Sequence, residues 1–242
     1  MRIHVVNPNA TRTMTAQIGR AARRAASPGT VIDLTNGDGA PASIEGHTDE
    51  ALAVPAMLAA IRAAEGRGAL AHVIACFDDP GLHAAREVAA GPVLGIAQAA
   101  MQVAMTLASR FSIVTTLPRS VPIIEDLADA YGAGRRCRRV RAIDLPVLAL
   151  EEDPARAQAL LAAEIMAARD HDGAEAVVLG CAGMADLCDA LTAQTGVPVI
   201  DGVTAAVRQA EALAGMGWRT SKLGGYAWPR PKPGGFTAPE AA

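Results

Sequence analysis

Aromatic side chains make up only 3% of this 242-residue chain. A core built on Phe, Tyr and Trp is excluded, so the packing has to rest on Ala, Val, Leu and Ile. Lysine is nearly absent, with only Lys222 and Lys232, both near the C-terminus. A pyridoxal phosphate enzyme holds its cofactor through a Schiff-base lysine, and no strand-end loop offers one. Neither a Walker-type glycine-lysine loop nor a GxGxxG fingerprint is present. No cofactor is expected, and side chains alone should carry any chemistry. An excess of positive charge is also missing: the net charge is −3, which gives no reason to expect nucleic acid or an anionic membrane as partner. Residues 88–109 carry no formal charge and are long enough to span a bilayer. Gly91-Pro92, Gly95, Gln98 and Gln102 interrupt them, so a strand followed by a buried helix is the expectation. Met1 to Val6 lead straight into a strand without the apolar stretch of a signal peptide. A cytoplasmic location is therefore expected, with the four cysteines as thiols.

What is present is an alternation of short apolar runs and helical patterns. Residues 3–6 form a β-branched run that stops at Asn7-Pro8-Asn9, a turn sequence. A helical pattern covers 11–26, a second strand 30–34, and a polar Gly/Pro-rich loop 36–48. Helix returns over 49–65, with Pro55 expected to start a segment or a kink. The strand ending at Cys76, a helix near 82–89 and the strand 93–96 follow. The second half repeats the plan, with strands at 111–114, 141–145, 176–181 and 197–200. Helices are expected to about Tyr131 and over 154–169 and 184–195. From Asn7 to Cys76 is 69 residues and from Thr115 to Cys181 is 66. The order and spacing imply an internal duplication with little residue identity. The expected fold class is α/β, with two pseudo-symmetric domains, each a four-stranded parallel sheet flanked by helices, and the active site in the cleft between them. A helix over 204–214 should cross back, giving a discontinuous first domain (1–97 plus 204–242) and a second domain of 98–203. The tail from Gly224, with Pro229, Pro231, Pro233 and Pro239, is expected to drape on the first domain or stay irregular.

Two thiols organise this plan. Cys76 and Cys181 each end an apolar run and precede a turn and a helix, which places both at carboxyl ends of parallel strands, where ligands bind in open α/β sheets. One thiol on each side of a cleft suits the transfer of a proton to and from a carbon acid. A base on one face and an acid on the other invert a stereocentre, and a thiol with an ordinary pKa of about 8.5 serves as either. The thiolate is the competent base, so one thiol is expected to have a lowered pKa from backbone N–H groups at the strand-to-helix turn. A small-molecule binding module and a thiol redox protein are the rival classes. The first needs no thiols, and the second needs the two sulfurs to bond.

Four blocks carry a resemblance: Asn7-Pro8-Asn9, Ser43-Ile44-Glu45-Gly46-His47, Cys76-Phe77-Asp78-Asp79-Pro80-Gly81-Leu82 and Leu179-Gly180-Cys181-Ala182-Gly183-Met184. In this order they resemble the hydantoin racemase branch of the aspartate/glutamate racemase superfamily, over residues 1 to about 215. The resemblance implies cofactor-independent racemisation of 5-substituted hydantoins at the interface of two α/β domains, with Cys76 and Cys181 as acid/base thiols. Allantoin racemase, using the same machinery, is the alternative. Amino acid racemases and decarboxylases of the superfamily stand further off, since an α-carboxylate asks for charge compensation that these loops do not visibly supply.

A cyclic ureide substrate puts carbanion charge on its C4 oxygen, so donors aimed there should count most. The candidates are the backbone N–H groups of Phe77 and Ala182, the Asn9 amide, and the Thr115 and Thr116 hydroxyls. Ser43 and Ile44 join them if their loop folds over the site. Asp78, Asp79 and His83 lack a further ligand at metal-binding spacing, so no metal is expected and helix capping by the aspartates is preferred. Glu45 and His47 are read as organising their loop, and Cys188 as core. Cys137 lies in the run Arg135-Arg136-Cys137-Arg138-Arg139-Val140-Arg141. That run is read as a solvated linker or an oligomer contact that lowers the thiol's pKa, and a homo-oligomer is expected.

Overall fold

The computed structural model describes residues 1–236. Each apolar run becomes a parallel strand, because a strand covered on both faces pairs its backbone while keeping Val and Ile from water. The first half runs β1 (Arg2–Asn7), α1 (Arg12–Ala25), β2 (Val31–Asn36), α2 (His47–Gly66), β3 (Ala71–Ile74), α3 (Leu82–Val88) and β4 (Val93–Gly95). The second half opens with α4 (Ile96–Leu107), β5 (Phe111–Thr115), α5 (Val121–Ala130) and β6 (Cys137–Ala142). It continues through α6 (Ala149–Glu152), α7 (Pro154–Ala167), β7 (Ala176–Leu179), α8 (Cys188–Thr195) and β8 (Val199–Asp201), and α9 (Gly202–Gly215) closes the sequence of long elements. The sheet orders are β2-β1-β3-β4 and β6-β5-β7-β8, with every pairing parallel. The expected α/β class with two four-stranded parallel sheets is what forms, and the two sheets share one strand order. The uncharged stretch 88–109 resolves into β4 and α4, and no helix among the described residues is long and apolar enough to cross a membrane.

Alanine does much of the packing. α1 buries Met14, Ile18, Ala21, Ala22 and Ala25, and α4 buries Ile96, Ala97, Ala99, Ala100, Met101 and Ala104. One contiguous apolar cluster reaches from Ile3 and Val5 through these helices to Phe111, Ile113 and Val178. α9 crosses back and packs on α1, α4, β3 and β4. Small side chains let these helices approach closely, at the cost of tolerance to added volume.

Several elements depart from expectation. Pro55 neither ends nor restarts α2, which runs unbroken from His47 to Gly66. The strand expected at 141–145 lies earlier, inside the basic run, as β6. It is the edge strand of its sheet, so Arg138 and Arg139 are exposed while only Val140 is fully buried. Arg141 is held by Asp172 at 2.6 Å and Glu164 at 2.9 Å. Cys137 opens β6 and is pushed up to about 12 by burial, helped by Glu125, Asp129 and Asp172. Burial outweighs the basic neighbours, so the expected lowering does not occur. Cys188 is half-buried and donates to the Val199 carbonyl at 2.9 Å. The helix expected over 184–195 is a 3-10 turn (Ala182–Leu187) leading into α8.

The tail drapes on α3. Lys222 donates to the carbonyls of Arg86 (2.6 Å) and Glu87 (3.0 Å), covers the Trp228 ring at 4.1 Å, and Tyr226 bonds His83 at 2.8 Å. Phe236 reaches the apolar cluster beneath α2 and α3. Pro239 lies outside the described residues.

A close helix contact lies at the starts of α4 and α9, where a Cβ added to Gly202 would run into the backbone carbonyl of Ile96. Gly202→Ala should therefore destabilise the fold by about 1–3 kcal/mol. A lowered midpoint in thermal or urea unfolding checks this, and an unchanged midpoint would contradict it.

Candidate active site

The carboxyl ends of the central strands converge on one narrow pocket. The chain leaves β1 into Asn9, β3 into Cys76 to Asp78, β5 into Thr115 and Thr116, and β7 into Gly180 to Ala182, and all of these line it. Met14, Ile44, Ala75, Ser120 and Val147 complete the wall. The free volume is about 30 Å³, room for a water or two but not for a substituted five-membered ring. No lysine, arginine or histidine is among the lining residues.

Both thiols are held alike. The backbone amide of Asp78 favours the thiolate of Cys76, and that of Gly183 favours the thiolate of Cys181. Each of these donors is two residues beyond its thiol, so the duplication extends to the surroundings of the sulfurs. These donors favour thiolate but do not prevail. Burial pushes Cys76 well above the ordinary thiol range, with Asp78, Cys181 and Asp79 adding to it. Burial pushes Cys181 up to about 12, with Asp78 and Glu45 adding to it. The expected lowering of one thiol is therefore not met in the resting protein. The helix after Cys76 begins only at Leu82, capped by Gly81 in a left-handed conformation (φ 63°), so its N-terminus is too far along the chain to offset burial.

Asp79 caps a helix, but not the one that follows it. Its carboxylate accepts from the N–H groups of Ala97 (3.1 Å) and Gln98 (3.0 Å) at the start of α4, and from the Tyr131 hydroxyl (2.9 Å). It adopts a left-handed backbone (φ 44°) to do so. Burial nevertheless lifts its pKa to about 7. Asp78 is also lifted to about 7, by burial first and then by Glu50 and Asp79. Its carboxylate makes no hydrogen bond to another described residue.

Of the other candidates, Asn9 is buried, with its carbonyl oxygen taken by the Asn7 amide (2.8 Å) and the Thr11 N–H (2.9 Å). Its NH₂ faces the Met14 sulfur at 3.2 Å. Thr116 lines the pocket with a hydroxyl that has no partner among the described residues, whereas the Thr115 hydroxyl donates to the Gly180 carbonyl at 3.0 Å and is committed to the backbone. Phe77 and Ala182 line the pocket, as does Ile44. Ser43 does not, and its hydroxyl bonds Glu45 at 3.3 Å. Glu45 organises its loop as expected and also fastens it to the other half, accepting from the Val147 N–H at 3.0 Å. Ser120, Val147 and Asp78 were missed as pocket residues. The repeat offered a signal for Val147, because it follows β6 as Ile44 follows β2. Among the described residues no group of three or more His, Cys, Asp or Glu side chains could hold a metal ion.

Two parallel sheets of identical strand order, each sending one thiol into a shared pocket, define an α/β enzyme with paired acid/base candidates. Residues 3–210 match the Asp/Glu/Hydantoin racemase family. A hydantoin racemase of Rhizobium meliloti is 65% identical over 223 residues, covering 92% of each chain. Among solved structures, an allantoin racemase from Klebsiella pneumoniae superposes with a TM-score of 0.94 at 50% identity, covering 96% of this chain and 95% of that one. An allantoin racemase from Pseudomonas fluorescens gives 0.92 at 42% identity, covering 96% and 98%. The chain belongs to the Asp/Glu/Hydantoin racemase family, and it is an isomerase, a racemase.

The raised thiols make a substrate-independent prediction. Alkylation of Cys76 and Cys181 by iodoacetamide should accelerate about tenfold per pH unit from pH 7 to 9, with no plateau, because thiolate is the reactive form. Asp78→Asn removes a charge that raises both thiols, and should increase both rates at pH 8. Mass spectrometry of the two peptides reads each rate, and a plateau below pH 8 in the unsubstituted protein would contradict the raised values.

Proposed function

We propose that this chain racemises 5-substituted hydantoins without a cofactor. The observation that carries this reading is the pocket lining, which pairs two thiols with no cationic side chain. A free amino acid would bring its α-carboxylate toward Asp78 with nothing to compensate it, whereas an uncharged cyclic ureide brings no such charge. The naming of the 65% identical relative as a hydantoin racemase supports the same substrate class.

In this mechanism one cysteine, as thiolate, removes the C5 proton from one face of the ring. The electron pair of the broken C–H bond delocalises onto the C4 oxygen. The other cysteine, as thiol, delivers its proton to the opposite face, leaving the roles exchanged. Donors for the C4 oxygen are available from the Phe77 and Ala182 N–H groups, the Asn9 NH₂, and the Thr116 and Ser120 hydroxyls. Such preorganised donors contribute more in a water-poor pocket than in solution. The pocket in its present state is too small for the ring, so entry requires the segment carrying Ile44, latched through Glu45 and Val147, to move aside. Residues 1–97 with 204–242 and residues 98–203 then act as the two domains of a cleft enzyme, and assembly as a homo-oligomer fits the basic edge strand β6.

Allantoin is the second reading, favoured by the two allantoin racemase structures. Met14, Ile44 and Val147 suit an apolar C5 substituent, and Ser120 and Thr116 suit a ureido group.

Each enantiomer of 5-benzylhydantoin, with allantoin alongside, should be followed in D₂O by optical rotation and C5 proton exchange. Cys76→Ser and Cys181→Ser should each lower racemisation at least about 100-fold, with any residual exchange confined to one enantiomer in each variant. Unimpaired racemisation in either variant would overturn the two-thiol mechanism. Faster turnover of allantoin than of 5-benzylhydantoin would move the substrate to the second reading.

A further inference from the structure

Asp78 has no part in the proton transfers just described, yet it lines the same pocket. It stands two residues after Cys76, where the duplication puts Gly183 after Cys181. The backbone amides of both residues favour the thiolate two positions before them, but only the first half adds a side chain at this point. The carboxylate accepts no hydrogen bond from any described residue. The charges that face it are acidic, with Glu50 of α2 and Asp79 of its own loop raising its pKa. It lines one pocket with both Cys76 and Cys181, and its charge raises the pKa of each. Asp78 is half-buried and open to solvent, so its carboxylate is ready to exchange water for a ligand donor, and a wall that only had to shape the pocket would be served by an apolar residue.

Of the other polar side chains of the lining, Thr116 and Ser120 offer neutral hydroxyls, and two are engaged. The Asn9 carbonyl is occupied by Asn7 and Thr11, and the Thr115 hydroxyl by Gly180. The Asn9 NH₂ gives one hydrogen to the Met14 sulfur and keeps the other as a donor suited to ring carbonyls. A cyclic ureide also presents ring N–H groups, and these need an acceptor.

We propose that Asp78 is a specificity residue that accepts a hydrogen bond from a ring N–H of the bound cyclic ureide. This rests on the reading of the substrate as a cyclic ureide. It gives the carboxylate the donor that the protein withholds, fixes the ring edge relative to the two thiols, and repels any substrate carrying its own carboxylate. One acidic side chain then does two things. It selects a neutral N–H-bearing ring, and it breaks the symmetry of the pocket so that the ring binds in one orientation.

The test uses hydantoin, 1-methylhydantoin and 3-methylhydantoin, which have no C5 substituent, so that ring recognition is read apart from racemisation. Binding is measured by titration calorimetry and C5 exchange in D₂O by proton NMR. The protein with Asp78 intact should bind hydantoin about 10-fold or more tightly than one of the two N-methyl compounds, the loss expected for a hydrogen bond to a charged group. Asp78→Ala should bind hydantoin weakly and no longer discriminate against that compound. Asp78→Asn, closest in shape, should fall between, with an unchanged unfolding midpoint showing that the fold is kept. Discrimination that survives in Asp78→Ala would overturn the proposal, as would an Asp78→Asn variant altered only in its pH dependence. If the unsubstituted protein neither binds hydantoin nor racemises 5-benzylhydantoin, the cyclic-ureide reading itself fails and the proposal falls with it. If it racemises while discrimination is independent of residue 78, only the role of Asp78 fails.

Discussion

The carboxylate of Asp79 joins parts of the molecule that are otherwise far apart in sequence. Three donors from two helical regions meet on it: Ala97 and Gln98 at the start of α4, and Tyr131 just beyond α5. The backbone at Asp79 takes a left-handed conformation to reach them, and Gly95 leaves the space that a Cβ would fill, directly against the carboxylate. Such a conformation costs a non-glycine residue roughly 1–3 kcal/mol, a cost offset here by capping two otherwise orphaned N–H groups. The consequence falls on Cys76. Its loop is pinned to the second half of the chain, so the position of the first thiol is set by elements that belong with the second.

The same economy governs the contact of α4 and α9. Each begins directly after the last strand of its half, and the two pack closely because Gly202 lets its backbone approach Ile96. Asp201 caps α9 through the Thr204 N–H at 2.7 Å, whereas α4 is capped by Asp79 from another loop. The duplication is thus preserved in strand order and thiol placement and broken in its caps. It is also broken at Asp78 and Gly183, where the pocket needs chemistry that a symmetric site would not supply.

The fold was readable because parallel strands buried on both faces appear as plain apolar runs, and Ala-rich helices keep their period. The basic strand β6 lies earlier than its apolar pattern suggests because an edge strand need bury little, and only Val140 among its three arginines is fully buried. Both thiols line one pocket because each sits at a strand end, a position that an apolar run marks in the sequence. The environment of those thiols was not readable, since burial is set by the opposite half of the chain. Thr115 illustrates the same limit: threonine at a strand end reads as a site residue, and only the nearby Gly180 carbonyl reveals that its hydroxyl is spent on the backbone. His4 and His72 gave no sequence signal, yet adjacent strands bring them to 3.1 Å, with burial lowering His4 to about 3. Sequence patterns report the surroundings of a residue along its own strand, and pairing across strands lies beyond them.

The unequal surroundings of the two thiols bear on how a two-thiol racemase works. Cys76 has Asp78 and Asp79 near it, while Cys181 has Asp78 and Glu45, so the cost of forming thiolate differs between them. Enantiomers in free solution have equal energies, so the equilibrium constant of racemisation is unity whatever the enzyme contributes. It follows that kcat/KM must be the same in both directions. Any difference between the thiols is therefore confined to kcat and KM separately, with the direction of higher kcat also having the higher KM. An asymmetric pocket built on a symmetric fold is not at odds with racemisation. It costs nothing in net balance, and it leaves the acidic wall free to serve recognition.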